Sequence, residues 1–103
     1  MTAAAADPVD VARKTFNNCM LTLHNENITA KASLPEFRKA ADVGCQSEKD
    51  AFHAVIVKSE RGFGSNAADA AAYADEEVQS IISSIKASYA ENADNSAVLT
   101  LEK

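Results

Sequence analysis

The sequence predicts an all-α fold, a small bundle of four helices. Three observations carry this. Ala fills 21 of the 103 positions, and Ala is the strongest helix former. Gly and Pro are scarce, at three and two residues, so little interrupts the chain. Apolar residues recur at steps of three and four through most of its length, the spacing of one helical face. A chain of 103 residues suits one small domain.

The first helix is expected over about 8–25. Asp7 is a good N-cap, and Pro8 fits the first helical position, where its missing N–H costs nothing. Val9, Ala12, Phe16, Cys19 and Leu23 then form a stripe with Met20 beside it. Asn25 and Asn27 are poor interior helix residues and read as a stop. The second helix is expected over 34–43. Ser33 and Glu36 have the spacing of a capping box, Leu34, Phe37, Ala41 and Cys45 share a face, and Gly44 supplies a left-handed terminus.

The third helix is expected over 48–61. Ser47 opens it, Asp50 favours the positive end of its dipole, and Phe52, Val55, Ile56 and Ser59 make its stripe. Gly62 and Gly64 end it around Phe63. The fourth, over 66–91, starts from Ser65 and carries Ala67, Ala71, Ala74, Val78, Ile81 and Ile85, widened by Ile82 and Tyr89. Phe16, Phe37, Phe52, Val55, Ile56, Val78, Ile81 and Ile85 form the expected core. Residues 1–7 are expected to be a disordered remnant, 8–91 the bundle and 92–103 a loose, flexible tail. The bulky end of the fourth helix then needs a cover, from residues 97–101 or from self-association through that helix.

Charge narrows the function classes. Ten basic side chains oppose fifteen acidic ones, for a net charge of −5. Such a chain, with basic residues at most in pairs, repels phosphate backbones and anionic lipid heads. No nucleic-acid partner is expected. No membrane insertion is expected either, because no apolar run approaches the ~18 residues of a spanning helix. The Ala run at positions 3–6 matches what remains around a small-residue cleavage site, with Met1 a start residue placed where a signal was removed. A periplasmic or secreted location follows as an expectation.

Cys19 and Cys45 sit on apolar stripes of two successive helices. An even cysteine count in a small, aromatic-poor, exported chain favours a disulfide between them. Without it they would be inert core thiols. No Cys-x-x-Cys exists, which removes thioredoxin-like and c-type haem chemistry, and two cysteines cannot build a four-Cys zinc site.

Neither histidine reads as a ligand. Met20 and His24 point the same way on one helix and cannot take opposite faces of a haem iron. On the helical wheel His24 lies roughly 95° and His53 about 110° from the centre of its stripe, so both are expected on solvated flanks. Gly62-Phe63-Gly64-Ser65-Asn66-Ala67 fits G-x-G-x-x-A, but a dinucleotide fingerprint needs a buried strand just before it, and Lys58–Arg61 separates it from the apolar Ala54–Val57. Asp69, Asp75, Glu76 and Glu77 lack calcium-loop spacing and read as a helix start and a solvated face. No nucleophile motif is present.

The expectation is therefore no cofactor, no metal, no catalytic residue, and a small exported, non-enzymatic interaction or structural module. The alternative is a carrier of haem or another apolar molecule between helices. In size, helicity and cysteine number the chain also resembles small acid-stress chaperones of the periplasm, which implies a stress chaperone-like role. That resemblance rests on no motif.

Overall fold

The computed structural model describes residues 7–103. It has four helices: α1 (Pro8–Ala30), α2 (Leu34–Val43), α3 (Gln46–Gly62) and α4 (Ala67–Asn92). No helix among the described residues is long and apolar enough to cross a membrane. The remnant expected over residues 1–6 lies outside the described residues, whereas Asp7, expected to belong to it, caps α1 by accepting from the Val9 N–H.

The long α1, α3 and α4 pack against one another, and α2 lies across α4 and α1. Two aromatic contacts pin the two ends of the core. Phe16 of α1 meets Phe52 of α3 with ring centroids 5.9 Å apart. Toward the other end of α1, Phe37 of α2 stacks on Tyr89 of α4 at 4.0 Å. Met20 is buried between them along α1, and Ala70, Ala74, Val78, Ile82 and Ile85 complete the α4 face. Small side chains at the start of α4 let a neighbouring backbone approach closely, and bulky ones fill the wider end.

Several element ends differ from expectation. α1 runs five residues past Asn25, because Ile28 is buried in the core and the flanking asparagines find partners: Asn27 Nδ2 donates to the Leu23 carbonyl. Tertiary burial here outweighs helix propensity. α1 ends at Lys31, whose φ of 57° is left-handed. The capping box of α2 is present in both directions, Glu36 N to Ser33 Oγ and Ser33 N to Glu36 Oε1. Gly44 is extended, not left-handed. Cys45 takes the left-handed turn at φ 55° and starts α3 two residues before Ser47. Asn66, not Ser65, caps α4, accepting from the Asp69 N–H.

Two expected core residues, Val55 and Ile81, are only half-buried. Ile82 and Tyr89, placed on the margin of the α4 stripe, are fully inside. The stripe runs 70, 74, 78, 82, 85, 89; it keeps the expected centre but takes in both margins of that face. At the bulky end of α4, Phe37 covers Tyr89, the Tyr89 hydroxyl donates to the Ala32 carbonyl, and Leu99 of the tail packs against the core, while Ile81 stays half-buried.

Candidate functional site

Three features outside the plain core have chemistry to offer: the tail on α1, the His24 cluster beneath it, and an apolar groove at the opposite end of α1.

The tail has no helix or strand, yet it is not loose. Residues 97–103 run antiparallel to α1, held by side chains of that helix. Asn25 Nδ2 donates to the Leu99 carbonyl at 2.8 Å, and the Leu99 N–H donates to Asn25 Oδ1 at 2.9 Å. Asn18 repeats the pair with Glu102: Nδ2 to the carbonyl at 2.9 Å, and the N–H to Oδ1 at 2.8 Å. The Glu102 side chain is gripped in turn. Arg13 donates to both carboxylate oxygens at 2.9 Å, and Asn17 Nδ2 donates at 2.7 Å. Planar bidentate pairing of this kind is among the stronger surface interactions. The Arg13 and Asn17 hydrogen bonds hold the Glu102 carboxyl down at about 2, and the carboxylates of Glu102 and Asp10 keep Arg13 charged. Lys14 Nζ donates to the Lys103 carbonyl, and Leu99 packs against the core.

His24 was expected in solvent and is completely buried. It stands edge-on to Phe37 and Tyr89, with centroids 6.1 and 5.5 Å away. Both ring nitrogens are engaged: Nδ1 with Asn25 Oδ1 at 2.9 Å and Nε2 with Asn92 Nδ2 at 3.2 Å. The amide oxygen beside Nδ1 suits a donor there, and the amide NH2 beside Nε2 suits an acceptor. The wheel failed because the stripe is wider than its apolar members: His24 sits four residues from Met20 and from Ile28, on the same buried line. Asn25 joins this cluster to the tail, since its Oδ1 accepts from both His24 and Leu99.

His53 is half-buried and bonds Asp75 across α3 and α4 at 2.8 Å. Among the described residues no three His, Cys, Asp or Glu side chains converge as a metal site, and Asp69 is engaged in its helix cap. The glycine pair of the G-x-G-x-x-A segment forms the α3–α4 turn, with Gly64 at φ 101°. Residues 54–57 before it are helical, so the strand that a dinucleotide site requires is replaced by α3.

The two cysteines are bonded, Cys19 to Cys45, with Cα atoms 6.1 Å apart. The bridge joins the middle of α1 to the α2–α3 junction.

The groove lies where α1 begins and α3 ends. Pro8, Val9, Val55, Lys58 and Phe63 line a volume of about 410 Å3. Phe63 also walls a smaller cleft beside Val9, Ile56 and Tyr73. The Phe63 ring is 86% exposed, since a two-glycine turn offers it no helix to pack on. A hydrogen bond to Glu77 pushes the Tyr73 phenol above its ordinary range.

Arg13, Asn17, Asn18, Asn25 and Glu102 escaped the sequence reading. The available signal was the four asparagines of α1, two of them seven residues apart, in a helix where asparagine is otherwise a poor choice. Comparison of the chain with family models, curated proteins and solved structures finds no match.

Proposed function

We propose that the chain is a small, exported, non-enzymatic interaction module that works in the periplasm or outside the cell. Phe63 carries this reading. A large aromatic ring held almost wholly in water, between apolar Val9 and Val55 on one side and Tyr73 on the other, costs solubility and contributes little to the core. Aromatic anchors at the rim of a groove are what partner surfaces use. The Cys19–Cys45 bond supports an oxidising compartment, where such bonds persist.

A second reading is a small-ligand carrier. It is favoured by the size of the groove, which falls within the ~300–1,000 Å3 of small-molecule sites. One experiment separates the two: an absorbance scan and native mass spectrum of the protein purified from its own host. The interaction reading expects the mass of the bare chain, and expects Phe63→Ala to abolish a photocrosslinked adduct that an exposed control position such as Gln79 never forms. A retained apolar molecule, or Soret absorbance, overturns it in favour of the carrier.

A further inference from the structure

The tail site on α1 is independent of the Phe63 groove, and its design does not require the tail to belong to the same chain. The match is first one of length. Asn18 and Asn25 are seven residues apart on α1, about 10.5 Å along the axis at 1.5 Å per residue. Leu99 and Glu102 are three apart in an extended segment, about 10 Å at ~3.3 Å per residue. Two helical turns therefore equal three extended residues, and each asparagine amide meets one tail residue squarely. Each amide takes both main-chain groups of that residue, as a neighbouring strand would.

Main-chain pairing carries no side-chain preference. Two side chains add it: Leu99 on the core, and Glu102 between Arg13 and Asn17. The ligand class is thus an extended peptide bearing an aliphatic residue and, three positions on, a carboxylate. The tail reaches this face through a turn over residues 93–96, where Ser96 is left-handed at φ 56°. Among the described residues, only the Ala97 N–H bonds back across that turn, to the Asn92 carbonyl and Asn95 Oδ1. If the turn opens, the same tail makes every one of its α1 contacts on another molecule. The balance between the two arrangements is then set by effective against actual concentration.

We propose that this face of α1 is a binding site for an extended aliphatic-x-x-carboxylate segment, and that it accepts the tail of a second copy, giving a two-fold dimer by reciprocal tail exchange.

A charge-swap complementation tests it in full-length chains. Arg13→Glu and Glu102→Arg each place like charges at the clamp within one molecule. When the two chains are mixed, every tail finds its opposite charge only in trans, so both clamps are restored in a heterodimer. Both side chains are about a third exposed, at 35% and 34%, so neither substitution enters the core. Each chain alone is expected to sediment as a monomer with unchanged helical circular dichroism. The equimolar mixture should give a heterodimer by native mass spectrometry, at least about tenfold more abundant than either homodimer. Placing both substitutions in one chain rebuilds a matched clamp within each molecule, and should return that chain to the monomer–dimer balance of the parent. A mixture that stays monomeric overturns the proposal, and so does a heterodimer that survives Asn18→Ala with Asn25→Ala in both chains. If either charge variant loses its helical signal, a labelled peptide of residues 96–103 tests the same face on the unmodified chain. It should displace the chain's own tail, and bind about tenfold more weakly to the Asn18→Ala/Asn25→Ala chain; no binding at peptide concentrations well above the ~millimolar effective concentration of the attached tail overturns the site.

Discussion

Glu102 shows how one side chain can set the state of a whole segment. Its carboxyl titrates at about 2, below the 4.5 of a free glutamate, chiefly because Arg13 and Asn17 bond its ionised form. A depressed carboxylate stabilises the docked tail fully above its undocked pKa and loses that stabilisation as pH falls through its docked one. Tail docking should therefore be pH-independent above about 5 and weaken progressively toward pH 2. Amide exchange at Leu99 and Glu102 measured across that range checks it, and Glu102→Gln should flatten the profile. A tail equally protected at both ends of the range would remove the clamp as its cause. Among the aromatic residues the contrast is one of burial. Phe52 is 2% exposed and touches Phe16, whereas Phe63 is 86% exposed. Phe52→Ala should cost ~3–5 kcal/mol through lost transfer and a residual cavity, and Phe63→Ala less than about 0.5 kcal/mol. Denaturant midpoints give both, and equal effects would place Phe52 outside the core.

Helix starts were the most legible elements, because a cap is a local event. Asp7-Pro8 and Ser33-x-x-Glu36 each satisfy the first N–H groups with residues three or fewer positions away. Helix ends were less legible where a distant partner decides them. Asn25 signals a stop only if its amide has nothing else to bond, and in the fold it bonds Leu99, 74 residues away. The same blindness hid the site: a heptad-spaced pair of asparagines has no meaning until an extended segment lies beside it. His24 was misplaced because its two partners, Asn25 and Asn92, make a buried imidazole tolerable, and Asn92 is far away in sequence. At the α2–α3 junction, glycine was read for the wrong property. Gly44 has ordinary extended backbone, but a Cβ there would stand 2.8 Å from the Ala40 carbonyl oxygen and 2.9 Å from Leu23 Cδ2. What the position needs is the missing side chain. Gly44→Ala should accordingly destabilise the fold by ~1–3 kcal/mol through overpacking. Adding Leu23→Ala should leave the clash with Ala40 in place, so no rescue is expected. A thermal melt of Gly44→Ala unchanged from the parent would show that α1 and α2 approach less closely than this.

For the whole molecule, the Cys19–Cys45 bond determines how firmly α2 and the turn after it are held to α1. α2 leans chiefly on α4, through Phe37 on Tyr89, and the bridge is its covalent tie to the other side of the bundle. It closes a loop with a sequence separation of 26, worth roughly 3.5 kcal/mol as lost entropy of the unfolded chain. Total stabilities of domains this size run ~5–15 kcal/mol, so the bond is a large share. Its position also has a conformational cost. Cys45 is left-handed at φ 55°, where a non-glycine residue costs roughly 1 kcal/mol or more. Glycine stands one position earlier, at Gly44, where close approach requires it. The chain therefore accepts a strained Cys45 because only a cysteine there reaches Cys19. Two consequences can be measured together. Free-thiol titration of the unfolded, unreduced chain should give almost none, and reduction should lower the melting temperature by on the order of 15–25 °C for a domain this size. Among bridge-free chains, Cys19→Ala/Cys45→Gly should be more stable than Cys19→Ala/Cys45→Ala by about 1 kcal/mol, because glycine relieves the left-handed strain that alanine keeps. If alanine and glycine at position 45 give equal melts, the turn relaxes once the bond is gone, and the strain belongs to the bridge, not to the path of the backbone from α2 into α3.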